Sequence, residues 1–222
     1  MITIHHVKNY SELSKTVASL VAIPISSGRR CNIGMPTGGT PLGMYEELTS
    51  KNLNWSMVHT FNLDEYVGIA YDHPQSYRQY MWNNLHSRII TNLDRMHFPH
   101  EYYDDEIESF GGLDLTILGI GSNGHIAFNE PGSDFYSLTR KINLSEQTIR
   151  DNSRFFESVD EVPTQAITMG LGTIMESRQI ILMASGKSKW EILQRAMWGE
   201  VTEEVPASIL QKHPNVKVFY CD

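Results

Sequence analysis

Six short apolar runs with β character, separated by stretches of helical period, constrain the fold of this chain more than any other feature. They lie at 31–35 (CNIGM), 56–63 (SMVHTFNL), 114–120 (DLTILGI), 165–170 (QAITMG), 179–184 (QIILMA) and 215–220 (NVKVFY). Most are short enough to be strands buried on both faces of a sheet. Between them Tyr77, Met81, Leu85 and Ile89 recur at i+4 after Pro74, and Trp190, Leu193 and Met197 mark one face of another helix. This alternation predicts an α/β fold, a mainly parallel sheet covered by helices. With 222 residues, 41% hydrophobic and 20% charged, and no repeat or linker, the expectation is one domain over 1–222. The least periodic region, about 131–163, reads either as an ordinary surface excursion or as a mobile, lid-like cover.

The formal net charge of −8 and a pI near 5.6 argue against nucleic-acid or anionic-membrane partners, which need excess Lys and Arg. Any anionic ligand must therefore be caught locally. The N-terminus MITIHHVKNYSELSK lacks a basic segment followed by an apolar one, and no run approaches the length of a membrane span. The expected compartment is the cytoplasm. Cys31 and Cys221, each in a predicted core strand, fit reduced buried thiols better than a disulfide framework.

Ligands of open α/β sheets lie outside the carboxyl ends of the strands, so polar residues just after strands are the ones to inspect. After the first apolar run comes PTGGTP, where Gly38 and Gly39 permit close backbone approach, Thr40 suits an N-cap and Pro41 a first helical turn. The motif is either a tight turn or an anion cradle of free N–H groups at a helix start. It is neither a nucleotide P-loop nor GxGxxG. In FNLDEYVG, Asp64 and Glu65 form either a solvated turn or, at a pocket mouth, a site where Asp64 acts as general base. In GIGSNGHIAFNEPG, the glycines allow Asn123, His125 and Glu130 to converge, and a carboxylate on one imidazole nitrogen leaves the other free to shuttle a proton. In SGKSKW, Lys187 and Lys189 sit at a helix start, where a cation is unfavourable unless it meets an anion. Arg154 in NSRFF is a candidate second cation with bidentate geometry. No HExxH or zinc-knuckle spacing occurs, so no metal site is expected, and His5–His6 and His97–His100 read as surface residues.

These places, in this order, resemble the glucosamine-6-phosphate deaminase family. The match carries GMPTGGTPLGMYEEL, TFNLDEYVGIAYDHPQSY, LGIGSNGHIAFNEPGS, NSRFF, and AITMGLGTIMES through ASGKSK to VPASILQKHPNV, nearly the whole chain. The resemblance implies a Rossmann-like, three-layer α/β fold and conversion of glucosamine 6-phosphate and water to fructose 6-phosphate and ammonia without an organic cofactor. It assigns Thr37, Gly38, Gly39, Thr40, Arg154 and Lys189 to the sugar phosphate. It further assigns ring opening to His125, oriented by Glu130, and proton transfer from C2 to C1 to Asp64.

Two departures from that family matter. Asn123 stands where many members carry Asp, which removes a charge next to His125. The chain ends at FYCD, directly after its last predicted strand, and has Ile142 near a position where allosteric hexameric members carry a basic effector contact. Weak or absent allostery and a monomer or small homo-oligomer are expected. A galactosamine-6-phosphate deaminase differs only in the C4 epimer and stays open. A 6-phosphogluconolactonase typically has GHxASLFP where this chain has GHIAFNEP, so Phe128, Asn129 and Glu130 favour the deaminase. A sugar-phosphate sensor would lack the base or the shuttle, and Asp64, His125 and Glu130 are all present.

Overall fold

The computed structural model describes residues 2–153, 156, 158 and 161–222. In chain order the elements are β1 (Ile4–His6), α1 (Tyr10–Ser26), β2 (Cys31–Met35), α2 (Leu42–Ser50), β3 (Val58–Asn62), β4 (Asp64–Tyr66), α3 (Tyr77–Asn84), β5 (Met96–His97), α4 (Tyr103–Ser109), β6 (Leu115–Leu118), β7 (Arg140–Asn143), α5 (Glu146–Ser153), β8 (Gln165–Thr168), α6 (Leu171–Met175), β9 (Ile180–Ser185), α7 (Trp190–Trp198) and β10 (Val216–Cys221). Seven strands form a parallel sheet in the order β1-β10-β9-β6-β2-β3-β5.

Strand residues alternate between two cores, as a period of two requires. Ile181 and Met183 of β9 face the layer of α1, α2 and α3, packing with Val17, Val21, Met44, Leu48 and Met81. Ile180, Leu182 and Ala184 face α4, α6 and α7, with Tyr103, Ile174 and Leu193. Burial on both faces explains why these strands read as unbroken apolar runs. Cys31 and Cys221 are buried free thiols, and burial pushes Cys31 up to about 12. No helix among the described residues is long and apolar enough to cross a membrane.

The run at 165–170 departs from its expected place. Its strand β8 pairs antiparallel with β4 and β7 in a separate three-stranded sheet, with Asp64 opposite Thr168 and Ile142 opposite Ala166. A third apolar cluster of Tyr66, Phe128, Leu144 and Ala166 backs this sheet. The chain changes sheets at Leu63, whose N–H bonds to Met35 O (3.3 Å) in the large sheet and whose carbonyl accepts from Met169 N (2.7 Å). Asp64 is thereby placed at the seam between the two sheets.

Two other local expectations also change. The helix after Pro74 ends at Asn84, so Ile89 lies beyond it, past a 3-10 turn at His86–Arg88. His97 is buried rather than on the surface: its ring stacks on Phe61 at 4.3 Å, and Nδ1 meets Glu106 Oε1 at 2.7 Å. Its Nε2 lies 2.9 Å from His59 Nδ1. His100 and the His5–His6 pair are exposed.

Candidate active site

The chain leaves β2 for β3 on one side of the sheet, and from β6 it returns to β9 on the other. A crevice at the strands' carboxyl ends is the consequence of such a reversal. A cavity of 340 Å³ opens there, walled by residues 36–41 after β2, Leu63 and Asp64 after β3, residues 119–122, 125, 127 and 128 after β6, and Lys189 after β9. Tyr77 of α3 and Thr148 of α5 complete it.

The glycine-rich loop presents amides to this space because its carbonyls are occupied elsewhere. Tyr80 donates its hydroxyl to Gly38 O at 2.6 Å, and Tyr10 donates to Gly39 O and Thr40 O at 3.2 and 3.0 Å. Among the described residues, the N–H groups of Thr37, Gly38, Gly39 and Thr40 have no hydrogen-bond acceptor. Gly38 has φ +102°, a conformation that a side chain makes costly. Thr40 does not cap α2, contrary to expectation: the N-cap position falls on Pro41, which has αR backbone angles and no side-chain cap. The threonine is left lining the cavity instead. Lys189 closes a 3-10 turn (Lys187–Lys189), half-buried on the cavity wall, while Lys187 is exposed. Arg154 lies outside the described residues.

Asp64 is 7% exposed, and its carboxylate accepts no hydrogen bond from the described residues. Burial, and secondarily the charge of Glu65, push it up to about 8. Two of the phenols that feel its charge are committed to other acceptors: Tyr45 donates to Pro36 O at 2.5 Å, and Tyr103 to Asn62 O at 3.0 Å.

Across the cavity, His125 is held by a tight turn in which Gly121 N bonds to His125 O (2.9 Å) and Gly124 N to Gly121 O (3.1 Å). Its imidazole rests directly against the Cα of Gly121, where any Cβ would collide with the ring. His125 Nδ1 lies 3.5 Å from Glu130 Oε1, close to the carboxylate but outside hydrogen-bond geometry. Asn123 Nδ2 donates to Glu130 Oε2 at 2.5 Å, and Thr148 Oγ1 to Oε1 at 2.7 Å. Burial pushes the Glu130 carboxyl up, but the interaction with His125 and the bonds from Thr148 and Asn123 outweigh it and hold the group at about 2. Ala127, with φ +50°, turns the chain so that Phe128 packs on Tyr66 and Tyr77 behind the cavity.

This arrangement can hold an anion on backbone amides and a lysine, accept a proton at Asp64, and pass one through an imidazole backed by a fixed carboxylate. A family model described as "Glucosamine-6-phosphate isomerases/6-phosphogluconolactonase" matches residues 7–219. The chain belongs to that family. Within the glucosamine-6-phosphate isomerase/6-phosphogluconolactonase family, it is 44% identical to the glucosamine-6-phosphate deaminase of Thermoanaerobacter pseudethanolicus, over 95% of this chain and 89% of that one. It is 46% identical to the enzyme of the same name from Clostridium acetobutylicum, over 96% and 94% of the two chains. A solved monomeric glucosamine-6-phosphate deaminase superposes with a TM-score of 0.95 at 38% identity, covering 99% of this chain and 97% of that one.

Of the residues expected from sequence, Thr37, Gly38, Gly39, Thr40, Asp64, His125 and Lys189 line one cavity, while Asn123 and Glu130 stand behind His125. Sequence reasoning missed Tyr10, Tyr77, Tyr80 and Thr148. The tyrosines belong to helices distant in sequence, and only the fold brings them to the loop. Thr148 did carry a signal: it is three residues after Ser145, whose hydroxyl accepts from Thr148 N at 3.1 Å as in a helix cap.

Proposed function

We propose that the protein is a glucosamine-6-phosphate deaminase, converting glucosamine 6-phosphate and water to fructose 6-phosphate and ammonia. The observation that carries this reading is a buried carboxylate, Asp64, without a hydrogen-bond donor among the described residues, facing the same cavity as the His125–Glu130 pair and the amide-lined loop. The substrate phosphate sits on the amides of Thr37–Thr40 and on Lys189, with Arg154 as a further cation. His125 moves the proton from O1 to O5 as the C1–O5 bond breaks, and Glu130 and Asn123 orient the ring. Asp64 takes the C2 proton and returns it to C1, while a proton of the C2 amine passes to O1, so that the aldehyde becomes a hydroxymethyl group and C2 an imine. Water then adds at C2, and the amine departs as ammonia.

An aldose-to-ketose shift requires a base whose proton affinity is near the working pH, which a buried carboxylate at about 8 supplies. Residues 131–163 are proposed as the cover of the site, of which 154, 155, 157, 159 and 160 lie outside the described residues. Within the described part β7 is paired to β8 at four positions, and Thr139 N bonds to Asp104 Oδ2 at 2.8 Å, so movement is assigned to α5. The proposed assembly is a monomer or small homo-oligomer.

The test measures ammonia and fructose 6-phosphate from glucosamine 6-phosphate, with galactosamine 6-phosphate and 6-phosphogluconolactone alongside. Ammonia release with the highest kcat/KM on glucosamine 6-phosphate is the expected result. Lactone hydrolysis without ammonia would overturn the reading, and a galactosamine preference would replace the substrate.

A further inference from the structure

Adjacent in sequence, Asp64 and Glu65 are treated in opposite ways by the fold. The Glu65 carboxylate accepts three backbone N–H groups: Tyr66 N (2.9 Å) and Tyr77 N (3.0 Å) on Oε1, and Arg78 N (2.9 Å) on Oε2. Two of these donors are the first residues of α3, whose opening N–H groups have no partner within the helix. Ser76 caps Gln79 N at 3.0 Å, so Glu65 and Ser76 together serve the helix start. The Arg78 guanidinium is itself fixed between the rings of Tyr71 (4.3 Å) and Phe98 (4.0 Å). The clamp therefore joins β4, which carries Asp64, to α3, which carries the cavity residue Tyr77.

A set of acceptor-only contacts from amides, at a positive helix end, suits an ionised carboxylate and offers nothing to a protonated one. Among the described residues Asp64 has no such donors. The titratable groups facing it are Glu65 and Tyr66 on β4, Tyr45 on α2, Tyr77 on α3 and Tyr103 on α4, with His125 and Lys189 in the shared cavity. Glu65 is the anion among them, and its like charge makes a proton on Asp64 more favourable.

We propose that Glu65 is a positioning residue: it pins α3 and Tyr77 to the strand of the base, and its fixed charge strengthens Asp64 as a proton acceptor. The inference rests on the reading of Asp64 as the base, but it predicts a titration that can be observed without turnover. Burial raises the Glu65 carboxyl above its ordinary value, and the bonds from Tyr77, Arg78 and Tyr66 and the charge of Arg78 offset that rise only in part.

The experiment follows the side-chain carboxyl carbons of Asp64 and Glu65 by NMR from pH 3 to 10, in the unmodified protein and in Glu65→Gln and Glu65→Asp. In the unmodified protein Glu65 is expected to ionise first and Asp64 last; the reverse order overturns the proposal without any variant. In Glu65→Gln the Asp64 midpoint should fall by about one pH unit, whereas Glu65→Asp keeps the charge and should leave it within about 0.3. The acid limb of kcat/KM should move with the midpoint. A Glu65→Gln protein that loses rate with an unmoved midpoint would make Glu65 a structural clamp alone and overturn the electrostatic role. Absence of ammonia release from the unmodified enzyme would instead count against the deaminase reading, and the two failures are separable.

Discussion

At one end of the cavity Asp64 is buried and accepts no hydrogen bond from the described residues, and it rises to about 8; at the other, Glu130 is served by Asn123, Thr148 and His125 and falls to about 2. Both carboxylates are withdrawn from solvent, so burial alone does not decide their chemistry. Their partners do. Asp64, with no donor among the described residues, holds a proton near neutral pH and can exchange it, while Glu130, whose partners outweigh its burial, stays charged and can only orient or polarise its neighbour.

The strongest way to break this contrast is Asp64→Asn, which retains shape and removes the proton acceptor. The rate should fall by a factor of about 10²–10⁴ or more, with exchange of the C2 proton lost and binding of a phosphate analogue retained. In the unmodified enzyme kcat/KM should climb with pH and level off above about 8, as Asp64 ionises. Stability should move the other way. The folded protein holds the Asp64 proton up to about 8, but the unfolded chain releases it near 4, so stability falls as pH rises between these values. The melting temperature of Asp64→Asn should therefore match the parent near pH 4 and exceed it by a few degrees at pH 8. A difference that does not grow with pH would remove the raised proton affinity from the account.

The opposite end is tested by Glu130→Gln and Gly121→Ala, each expected to lower kcat by a factor of about 10–100. The first removes the fixed charge behind His125. The second places a methyl group where the imidazole lies, which forces the ring away from its cavity position. Glu130, held low in the fold, contributes stability above its unfolded value near 4.3, and that contribution is lost as pH falls toward 2. Thermal scans of Glu130→Gln should accordingly show a deficit at pH 7 that closes on acidification.

Much of this site was readable in the sequence because its residues directly follow buried parallel strands, where short apolar runs and glycines are conspicuous. The glycines of the 36–41 loop, Asp64, His125 and Lys189 all follow such runs and all reach the cavity. The small sheet was not readable. Gln165–Thr168 has the apolar character of a central strand, and nothing local reveals that it pairs antiparallel with Asp64–Tyr66. Strands β1 and β5, of 3 and 2 residues, are too short to carry a period. His97 read as a surface residue because its partners, His59 and Glu106, come from other elements and satisfy it only after folding. Glu65 illustrates the same limit, since its three donors are amides, to which the identity of the side chains gives no clue.

The smallest expected effect concerns the loop between these two ends. Tyr80 donates to Gly38 O at 2.6 Å, and Tyr80→Phe removes that bond without altering the ring's packing against Tyr45. A carbonyl released from its donor lets the Gly38–Gly39 peptide turn, and an amide that turns with it is lost to the anion. One neutral hydrogen bond is worth about 1 kcal/mol, which corresponds to a change of about fivefold in KM. If the loop holds the phosphate equally in ground and transition states, as proposed, kcat should be unchanged. Inorganic phosphate as a competitive inhibitor should weaken by the same factor. If kcat falls with KM unaltered, the loop acts on the reacting carbons through substrate placement, and the separation between anchoring amides and the acid–base ends no longer holds.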